Sequence, residues 1–169
     1  MDLRITGKKA LITGGDSGIG WHTAQELLHE GVTVFLTDRD PEELARAADA
    51  LDPAEGRVLH HAADVTRLEE IEALGAAVQE ATGDIDILVH AAGVTGAQGL
   101  FHEIDDDGWV DTLTTDLLGA VRITRQFLPA LRRGGWGRLV FLTSEDAVQP
   151  YDDELPYCAS KAGLLALSK

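Results

Sequence analysis

The stretch Lys9-Ala10-Leu11-Ile12-Thr13, followed directly by Gly14-Gly15-Asp16-Ser17-Gly18-Ile19-Gly20, decides the fold of this chain. The first five residues predict a buried strand, and the glycines predict a tight turn after it. Apolar side chains at helical spacing follow as far as Gly31, which is a helix stop signal. A strand, a glycine turn and a helix in this order form the unit that binds the diphosphate of a dinucleotide.

The three spaced glycines each have a separate purpose in such a unit. Gly14 allows the tight turn, Gly18 lets the backbone approach a pyrophosphate, and Gly20 lets the helix pack closely on the strand. The spacing Gly-x-x-x-Gly-x-Gly differs from the commoner Gly-x-Gly-x-x-Gly pattern. The turn alone therefore leaves the assignment open.

The next strand, 32–37, supplies a second clue because it ends at Asp38, twenty positions after Gly18. An acidic residue there accepts hydrogen bonds from the adenosine ribose hydroxyls and repels a 2′-phosphate, which favours NAD over NADP. NADP stays possible, since Arg39 is the type of residue that holds that phosphate. The alternative for Asp38 is a helix cap ahead of Pro41.

The rest of the chain alternates between strands and helices. Apolar periodicity predicts helices at 41–51, 67–82, 107–133 and from 156 onward, and strands at 57–63, 86–93 and 138–143. This alternation implies right-handed crossovers, a parallel sheet and helices on both faces. We therefore expect one α/β domain over 1–169, with ligands bound at the carboxyl ends of its strands.

Composition excludes several classes of function. The 169 residues carry a net charge of -15, which disfavours nucleic acid and anionic membrane surfaces as partners. No apolar run approaches the length needed to span a membrane, and the first residues of the sequence lack the apolar core of a signal peptide. A single cysteine, Cys158, favours a reducing compartment, so we expect a cytoplasmic protein. The scattered histidines have no metal-ligand spacing, and no metal is proposed.

A candidate catalytic group follows in Tyr157-Cys158-Ala159-Ser160-Lys161. Residues four apart share a helix face, so Tyr157 and Lys161 are expected side by side. A nearby ammonium favours the phenolate and lowers the pKa of a tyrosine, which suits it for proton transfer. Ser144, at the end of a predicted strand, would hydrogen-bond a substrate carbonyl. The alternative is an amphipathic helix with an interfacial tyrosine and a solvated lysine.

Taken together, these residues resemble the short-chain dehydrogenase/reductase family along essentially the whole chain. Thr13 to Gly20 is similar to the family's cofactor loop, and Asp64-Val65 to its adenine-contacting pair. His90-Ala91-Ala92-Gly93 resembles its Asn-Asn-Ala-Gly signature. Ser144, Tyr157 and Lys161 fall on its catalytic serine, tyrosine and lysine. The resemblance implies a Rossmann-like, doubly wound parallel sheet.

The same resemblance implies hydride transfer between NAD(H) and a secondary alcohol or ketone. Tyr157 would be the acid and base, Lys161 would lower its pKa and bind the nicotinamide ribose, and Ser144 would orient the substrate oxygen. The cofactor would contact Thr13, Gly14, Asp16, Ser17, Gly18, Ile19, Gly20, Asp38, Arg39, Asp64, Val65, His90, Ala91, Ala92, Gly93, Tyr157 and Lys161. The family also implies a homo-oligomer, a dimer or tetramer.

Two residues depart from the family pattern. His90 replaces an asparagine, which changes the hydrogen bonding on the adenosine side. Asp116 replaces the asparagine of the proton relay, so a carboxylate is expected near Lys161, where it would stabilise the ammonium and weaken its effect on Tyr157. Asp116 is therefore included among the catalytic candidates.

The last feature is the end of the sequence, since Lys169 falls in an apolar helical run without a stop signal. We expect the front portion of a longer enzyme, lacking a C-terminal strand and the substrate lid. Two alternatives to an NAD-dependent alcohol or ketone oxidoreductase stay open. One is an NADPH-dependent reductase similar to 3-oxoacyl carrier-protein reductases, which Gly135-Trp136-Gly137-Arg138 resembles. The other is a non-catalytic dinucleotide-binding or oligomerising module.

Overall fold

The computed structural model describes residues 3–51 and 56–169. Its strands are β1 (Lys9–Thr13), β2 (Thr33–Thr37), β3 (Val58–His60), β4 (Ile87–His90) and β5 (Arg138–Phe141). They form one parallel sheet in the order β3, β2, β1, β4, β5. The predicted parallel α/β sheet is confirmed. Met1, Asp2 and residues 52–55, which the predicted domain includes, lie outside the described residues.

The helices cover both faces of this sheet. They are α1 (Gly18–His29), α2 (Pro41–Leu51), α3 (Leu68–Thr82), α4 (Asp106–Leu113), α5 (Gly119–Arg133) and α6 (Leu155–Leu167). Side chains of a strand alternate between faces, so Ile12 packs with α1 and α2 while Leu11 packs with α3 and α5. The sheet is therefore doubly wound. Within the described ranges, no helix is long and apolar enough to cross a bilayer.

Three strands end earlier than predicted: β3, β5 and β4, which ends at His90 rather than at 93. β3 ends at His60 rather than at 63, although the amides of His61 and Ala63 still donate to the carbonyls of Leu36 and Asp38. β5 ends at Phe141 rather than at 143. At these strand ends the apolar sequence pattern continues past the last regularly paired residue. The pattern therefore does not mark where the strand ends.

The predicted helix 107–133 is also wrong as a single helix. A π-helical turn, Thr114–Leu118, separates α4 from α5. The hydroxyls of Thr112 and Thr115 donate to the carbonyls four residues earlier, Gly108 and Asp111, which is a pattern that bends helices. Wide turns of this kind are frequent at functional sites, and this one contains Asp116.

The strand register places the candidate residues along one edge. Thr13 pairs with Thr37 on one side and with His90 on the other, and His90 pairs with Phe141. The chain leaves β1 toward β2 but returns to β4 on the opposite side of β1. A crevice forms outside the strand ends at such a reversal.

Candidate active site

Steric contacts fix two glycines of the turn after β1. Gly14 has φ +69°, and a Cβ there would lie 2.7 Å from the amide nitrogen of Ala92. A Cβ on Gly20 would lie 1.9 Å from the carbonyl oxygen of Gly14. Backbone atoms cannot yield to such contacts, so neither position accepts a side chain without a shift of the turn.

The start of α1 fits an anionic ligand. Gly18 has φ +53°, and a Cβ there would meet no atom within 4 Å, so this backbone borders open space. The Ser17 hydroxyl donates to Asp16 at 2.8 Å and does not cap the helix. Among the described residues no side chain accepts from the first amides of α1, and with the positive end of the helix dipole these amides suit a diphosphate.

A cleft of about 410 Å³ opens at this edge of the sheet. Thirteen of the predicted cofactor residues line it: Gly14, Asp16, Ser17, Gly18, Ile19, Gly20, Asp38, Arg39, Asp64, Val65, Ala91, Ala92 and Gly93. Sequence reasoning missed six others: Thr37, Ala63, Thr66, Val94, Thr115 and Leu142. Most of these lie at or just beyond a strand end and could have been found from the parallel register. Thr115 lies in the π-helical turn, which no pattern in the sequence indicates.

Asp38 is half-buried at the end of β2, and its carboxylate accepts the amide of Arg39 at 2.7 Å. Burial raises the pKa of Asp38, and the nearby Asp16 carboxylate raises it further. The capping alternative is wrong, because Asp40 caps α2 by accepting the amides of Glu42 and Glu43 at 2.9 and 3.0 Å. Asp38 is therefore free to face the cleft.

Two predicted cofactor contacts, Thr13 and His90, lie beneath the cleft and do not line it. His90 is 1% exposed, and its Nδ1 lies 2.8 Å from the Thr13 hydroxyl, which also accepts the amide of Ala92 at 3.2 Å. Burial, with the nearby Lys161 charge, lowers the pKa of His90 to about 4. These side chains join β1 to β4 and hold the backbone beside the cleft. The side-chain contacts with the cofactor that were predicted for Thr13 and His90 are therefore not supported, because neither residue lines the cleft.

Tyr157 and Lys161 share a face of α6, with the Lys161 ammonium 5.3 Å from the centre of the phenol ring. The Lys161 Nζ donates to the Leu142 carbonyl at 3.2 Å and would lie 3.2 Å from a Cβ on Gly93. Both neighbours line the cleft. Lys161 is thus buried directly behind the cleft wall, and the alternative of a solvated lysine is wrong.

The predicted fall in the pKa of Tyr157 is also wrong. Burial raises the pKa of Tyr157, and the Asp116, Asp146 and Glu154 carboxylates add to this, while a hydrogen bond with Ser144 opposes it. The ammonium of Lys161, which lies 5.3 Å from the centre of the ring, does not reverse the shift. Sequence spacing places the pair together but does not reveal the surrounding burial and negative charge.

Asp116 lies in the π-helical turn and is fully buried. Its Oδ1 accepts the amide of Val94 at 2.8 Å, and its Oδ2 lies 3.3 Å from the Ser160 hydroxyl and 3.8 Å from the Lys161 Nζ. Burial raises the pKa of Asp116 and lowers that of Lys161, and their mutual attraction opposes both shifts. The expected carboxylate beside Lys161 is present.

Ser144 has a partner that sequence reasoning did not identify. Its hydroxyl donates to Asp146 Oδ2 at 2.7 Å and accepts the Asp146 amide at 3.3 Å. Asp146 belongs to the 3₁₀ turn Glu145–Ala147 and is 7% exposed. The only sequence signal was the acidic character of the loop 145–154, which did not single out this residue.

Comparisons with known proteins agree with this geometry. The short chain dehydrogenase family model matches residues 8–169. An uncharacterized oxidoreductase of Bacillus subtilis, YvrD, is 36% identical over 169 residues, which are all of this chain and 63% of that protein. A putative ketoacyl reductase of Streptomyces coelicolor is 39% identical over 95% of this chain and 62% of its own length.

A solved structure gives the same result in three dimensions. The L-sorbose reductase of Gluconobacter frateurii, complexed with NADPH and L-sorbose, has a TM-score of 0.93 and 37% identity, covering 99% of this chain and 64% of that one. The chain thus spans less than two-thirds of the length of these relatives. The family model, the relatives and the fold agree with the resemblance found in the motifs, and the chain belongs to the short-chain dehydrogenase/reductase family.

Proposed function

We propose that the protein transfers a hydride between a nicotinamide dinucleotide and a secondary alcohol or ketone. One observation carries the proposal: Lys161, on the same helix face as Tyr157, contacts two residues that line the cleft, Gly93 and Leu142. The glycine turn would hold the diphosphate, and the bound cofactor would supply or accept the hydride.

In the direction of ketone reduction, the Tyr157 hydroxyl donates its proton to the carbonyl oxygen. Its raised pKa keeps the phenol protonated at neutral pH and suits it to act as the acid. In alcohol oxidation the phenolate takes the proton back. Lys161 and Asp116 hold a fixed charge pair behind the cleft wall, and Ser144 orients the substrate oxygen.

The test is the oxidation of NADH or NADPH with a panel of small ketones. Substitution Tyr157→Phe removes the proton donor but keeps the ring, and general acid catalysis contributes about 10²- to 10⁴-fold to such reactions. We expect kcat to fall by that factor while NADH binding, measured by fluorescence titration, stays within about twofold. If no ketone is reduced with either cofactor, the chain is a dinucleotide-binding or oligomerising module instead.

We propose NAD(H) as the preferred cofactor. Asp38 and Asp16 place two carboxyl groups close together at the edge of the cleft, and a 2′-phosphate beside them would meet like charge. Arg39 at the same edge favours NADP(H), and the L-sorbose reductase neighbour is complexed with NADPH. Two carboxyl groups against one guanidinium favour the unphosphorylated ribose.

Titration of the protein with NADH and NADPH separates the two cofactors. We expect NADH to bind at least about tenfold more tightly, because like-charge contacts cost several kcal/mol. Substitution Asp38→Asn should narrow this ratio, and Arg39→Gln should widen it. Tighter NADPH binding by the unsubstituted protein would contradict the preference assigned to Asp38.

A second candidate substrate is a 3-oxoacyl thioester reduced with NADPH. The Streptomyces coelicolor relative named as a putative ketoacyl reductase favours it, as does the run Gly135–Arg138 before β5. Reduction of an acetoacetyl thioester at a higher kcat/KM than any simple ketone would identify this activity.

We also propose a homo-oligomer. Val110, Leu118 and Leu128 are apolar side chains of the α4–α5 segment that are 58%, 42% and 39% exposed, and a second copy would bury them. Sedimentation equilibrium should give a mass of two or four chains. Substitution Leu128→Glu should lower that mass, and a monomer at high concentration would contradict the proposal.

A further inference from the structure

A second cavity, of about 510 Å³, lies next to the cleft. Five residues line both spaces: Arg39, Asp64, Thr66, Val94 and Thr115. The second cavity alone is lined by Gly96, Ala97, Gly108, Asp111, Thr112 and Thr114. Because the two spaces share part of their walls, a molecule bound in the cleft can extend into the second cavity.

One wall of the second cavity is formed where the loop 94–97 packs on α4. The Thr112 hydroxyl accepts the Ala97 amide at 3.3 Å and donates to the Gly108 carbonyl at 2.8 Å. A Cβ on Gly96 would lie 2.1 Å from the Thr112 hydroxyl oxygen, and one on Gly108 would lie 2.8 Å from the Ala97 Cβ. The loop and the helix are therefore in direct contact and close the cavity on this side.

The order of the strands indicates which part of a dinucleotide would reach this cavity. With the diphosphate at the turn after β1, the adenosine ribose lies beside Asp38 at the end of β2. The adenine then lies one strand farther on, at the end of β3, where the stretch Ala63 to Thr66 lines the cleft. Asp64 and Thr66 of this stretch also line the second cavity, which therefore opens at the adenine end of the cleft.

Asp64 supplies a hydrogen-bond acceptor at the boundary between the two spaces. Its Oδ1 accepts the Thr66 amide at 2.8 Å, and its Oδ2 has no hydrogen-bond partner among the residues that the structure describes. The 6-amino group of adenine carries two hydrogens and can donate one of them to a carboxylate oxygen. An alkyl chain can replace the other hydrogen without loss of that bond, and such a chain would start beside the second cavity.

We propose that the second cavity binds a substituent on the 6-amino nitrogen of adenine and prefers a short chain that ends in an ammonium group. This inference rests on the proposed function, which places the dinucleotide in the cleft. The cavity is lined by two carboxylates, Asp64 and Asp111, and one guanidinium, Arg39. An ammonium there meets an excess of opposite charge, and a carboxylate meets an excess of like charge.

Three dinucleotides test the inference in the unsubstituted protein: NADH and its derivatives with a 2-aminoethyl or a carboxymethyl group on the 6-amino nitrogen. The two substituents are similar in size and opposite in charge. By isothermal titration calorimetry we expect the aminoethyl derivative to bind within about twofold of NADH or more tightly, and the carboxymethyl derivative to bind about threefold or more weaker than the aminoethyl derivative.

Two variants of Asp111 separate the size of the cavity from its charge. Asp111 is exposed on α4 and lines the second cavity but not the cleft. Substitution Asp111→Trp should narrow the cavity, so both derivatives should bind about tenfold or more weaker while NADH binding stays unchanged. Substitution Asp111→Asn should bring the two derivatives to within about twofold of each other.

The matched controls are Asp107→Trp and Asp107→Asn, at an exposed position of the same helix that does not line the cavity. Neither control should change the affinity of any of the three dinucleotides. A control that reproduces the effect of its Asp111 counterpart would overturn the inference, because the cavity would not be the cause.

The outcomes separate the inference from the proposed function. If NADH binds and both derivatives bind more than about tenfold weaker, adenine has no room beside it and the inference is overturned, while the cofactor site stands. Equal affinity of the two derivatives in the unsubstituted protein also overturns it, and this comparison decides the matter even if Asp111→Trp does not fold. If neither NADH nor NADPH binds, the proposed function and the inference fail together.

Discussion

The two ends that we propose for the crevice, a nucleotide end and a substrate end, are built from different chemical groups. At the nucleotide end, the site is formed by backbone atoms of the turn after β1 and by the amides of α1. Gly14 and Gly20 have no room for a side chain there. At the substrate end, we propose that ionisable side chains form the site: the buried Asp116, Asp146 and Lys161 and the half-buried Tyr157. The first site depends on shape, while the second depends on charge, so the two should respond to different perturbations.

The largest effect is expected from a substitution in the backbone turn of the nucleotide end. In Gly20→Ala the new Cβ would lie 1.9 Å from the Gly14 carbonyl oxygen, so the turn must move. We expect the free energy of unfolding to fall by about 3–5 kcal/mol and NADH binding to be lost. Urea denaturation and fluorescence titration measure both effects.

The control for Gly20 is Gly134→Ala at the end of α5. Gly134 has φ -73°, and a Cβ there would lie 3.8 Å from its nearest neighbour, the Trp136 carbonyl. This variant should change stability by less than about 1 kcal/mol and leave NADH binding unchanged. Equal effects of the two substitutions would mean that the close approach of Gly20 to Gly14 is not what shapes the turn.

The next effect concerns His90, a buried ionisable side chain that joins β4 to β1 through Thr13. Its pKa of about 4 in the folded protein lies below the ordinary value of 6.5, so the unfolded chain takes up a proton first as the pH falls. Its contribution to stability is complete above pH 6.5 and is lost between pH 6.5 and 4. The loss amounts to about 3 kcal/mol.

The measurement is urea denaturation at several pH values across this window. The variant His90→Asn, which restores the residue type of the family signature, removes the titrating group and should flatten the dependence between pH 6.5 and 4 by about that amount. A variant that retains the full slope would show that other groups, and not His90, cause it.

The smallest effect is expected from a change of charge near Tyr157. Asp116 raises the pKa of Tyr157, so Asp116→Asn should lower it. Alcohol oxidation needs the phenolate, and the rising limb of its pH–rate profile should therefore move to lower pH. Asp107→Asn, an exposed change on α4, is the control and should leave the profile in place. A limb that moves to higher pH in Asp116→Asn would contradict the electrostatic role of this carboxylate.

The same division explains how much of the molecule could be predicted from its sequence. The turn from Gly14 to Gly20 and the acid at Asp38 were placed correctly at the cleft, because backbone geometry permits few residue types there. Tyr157 and Lys161 could be paired by helical spacing. The sign of the pKa shift on Tyr157 could not be predicted, since burial and the carboxylates around the phenol come from distant segments.

Two other features of the structure, the π-helical turn and the buried Asp146, could not be predicted from any sequence pattern. The π-helical turn at 114–118 interrupts a run whose apolar spacing is that of a continuous helix, and only packing against α6 reveals it. Asp146 lies two residues after Ser144 in an irregular loop, where spacing carries no information about which carboxylate turns inward. Thr13 and His90 belong to the family motif by position, but their side chains face each other and not the cleft.

The most direct test of the proposed hydride transfer is the transfer of deuterium from NADH labelled at nicotinamide C4 to hydroxyacetone or butanone. We expect mass spectrometry of the alcohol product to find one deuterium on the carbinol carbon when the correct face of the cofactor is labelled, and none when only the other face is labelled. Alcohol formed without deuterium from either labelled cofactor, or no alcohol at all, would contradict hydride transfer in the crevice beside Tyr157.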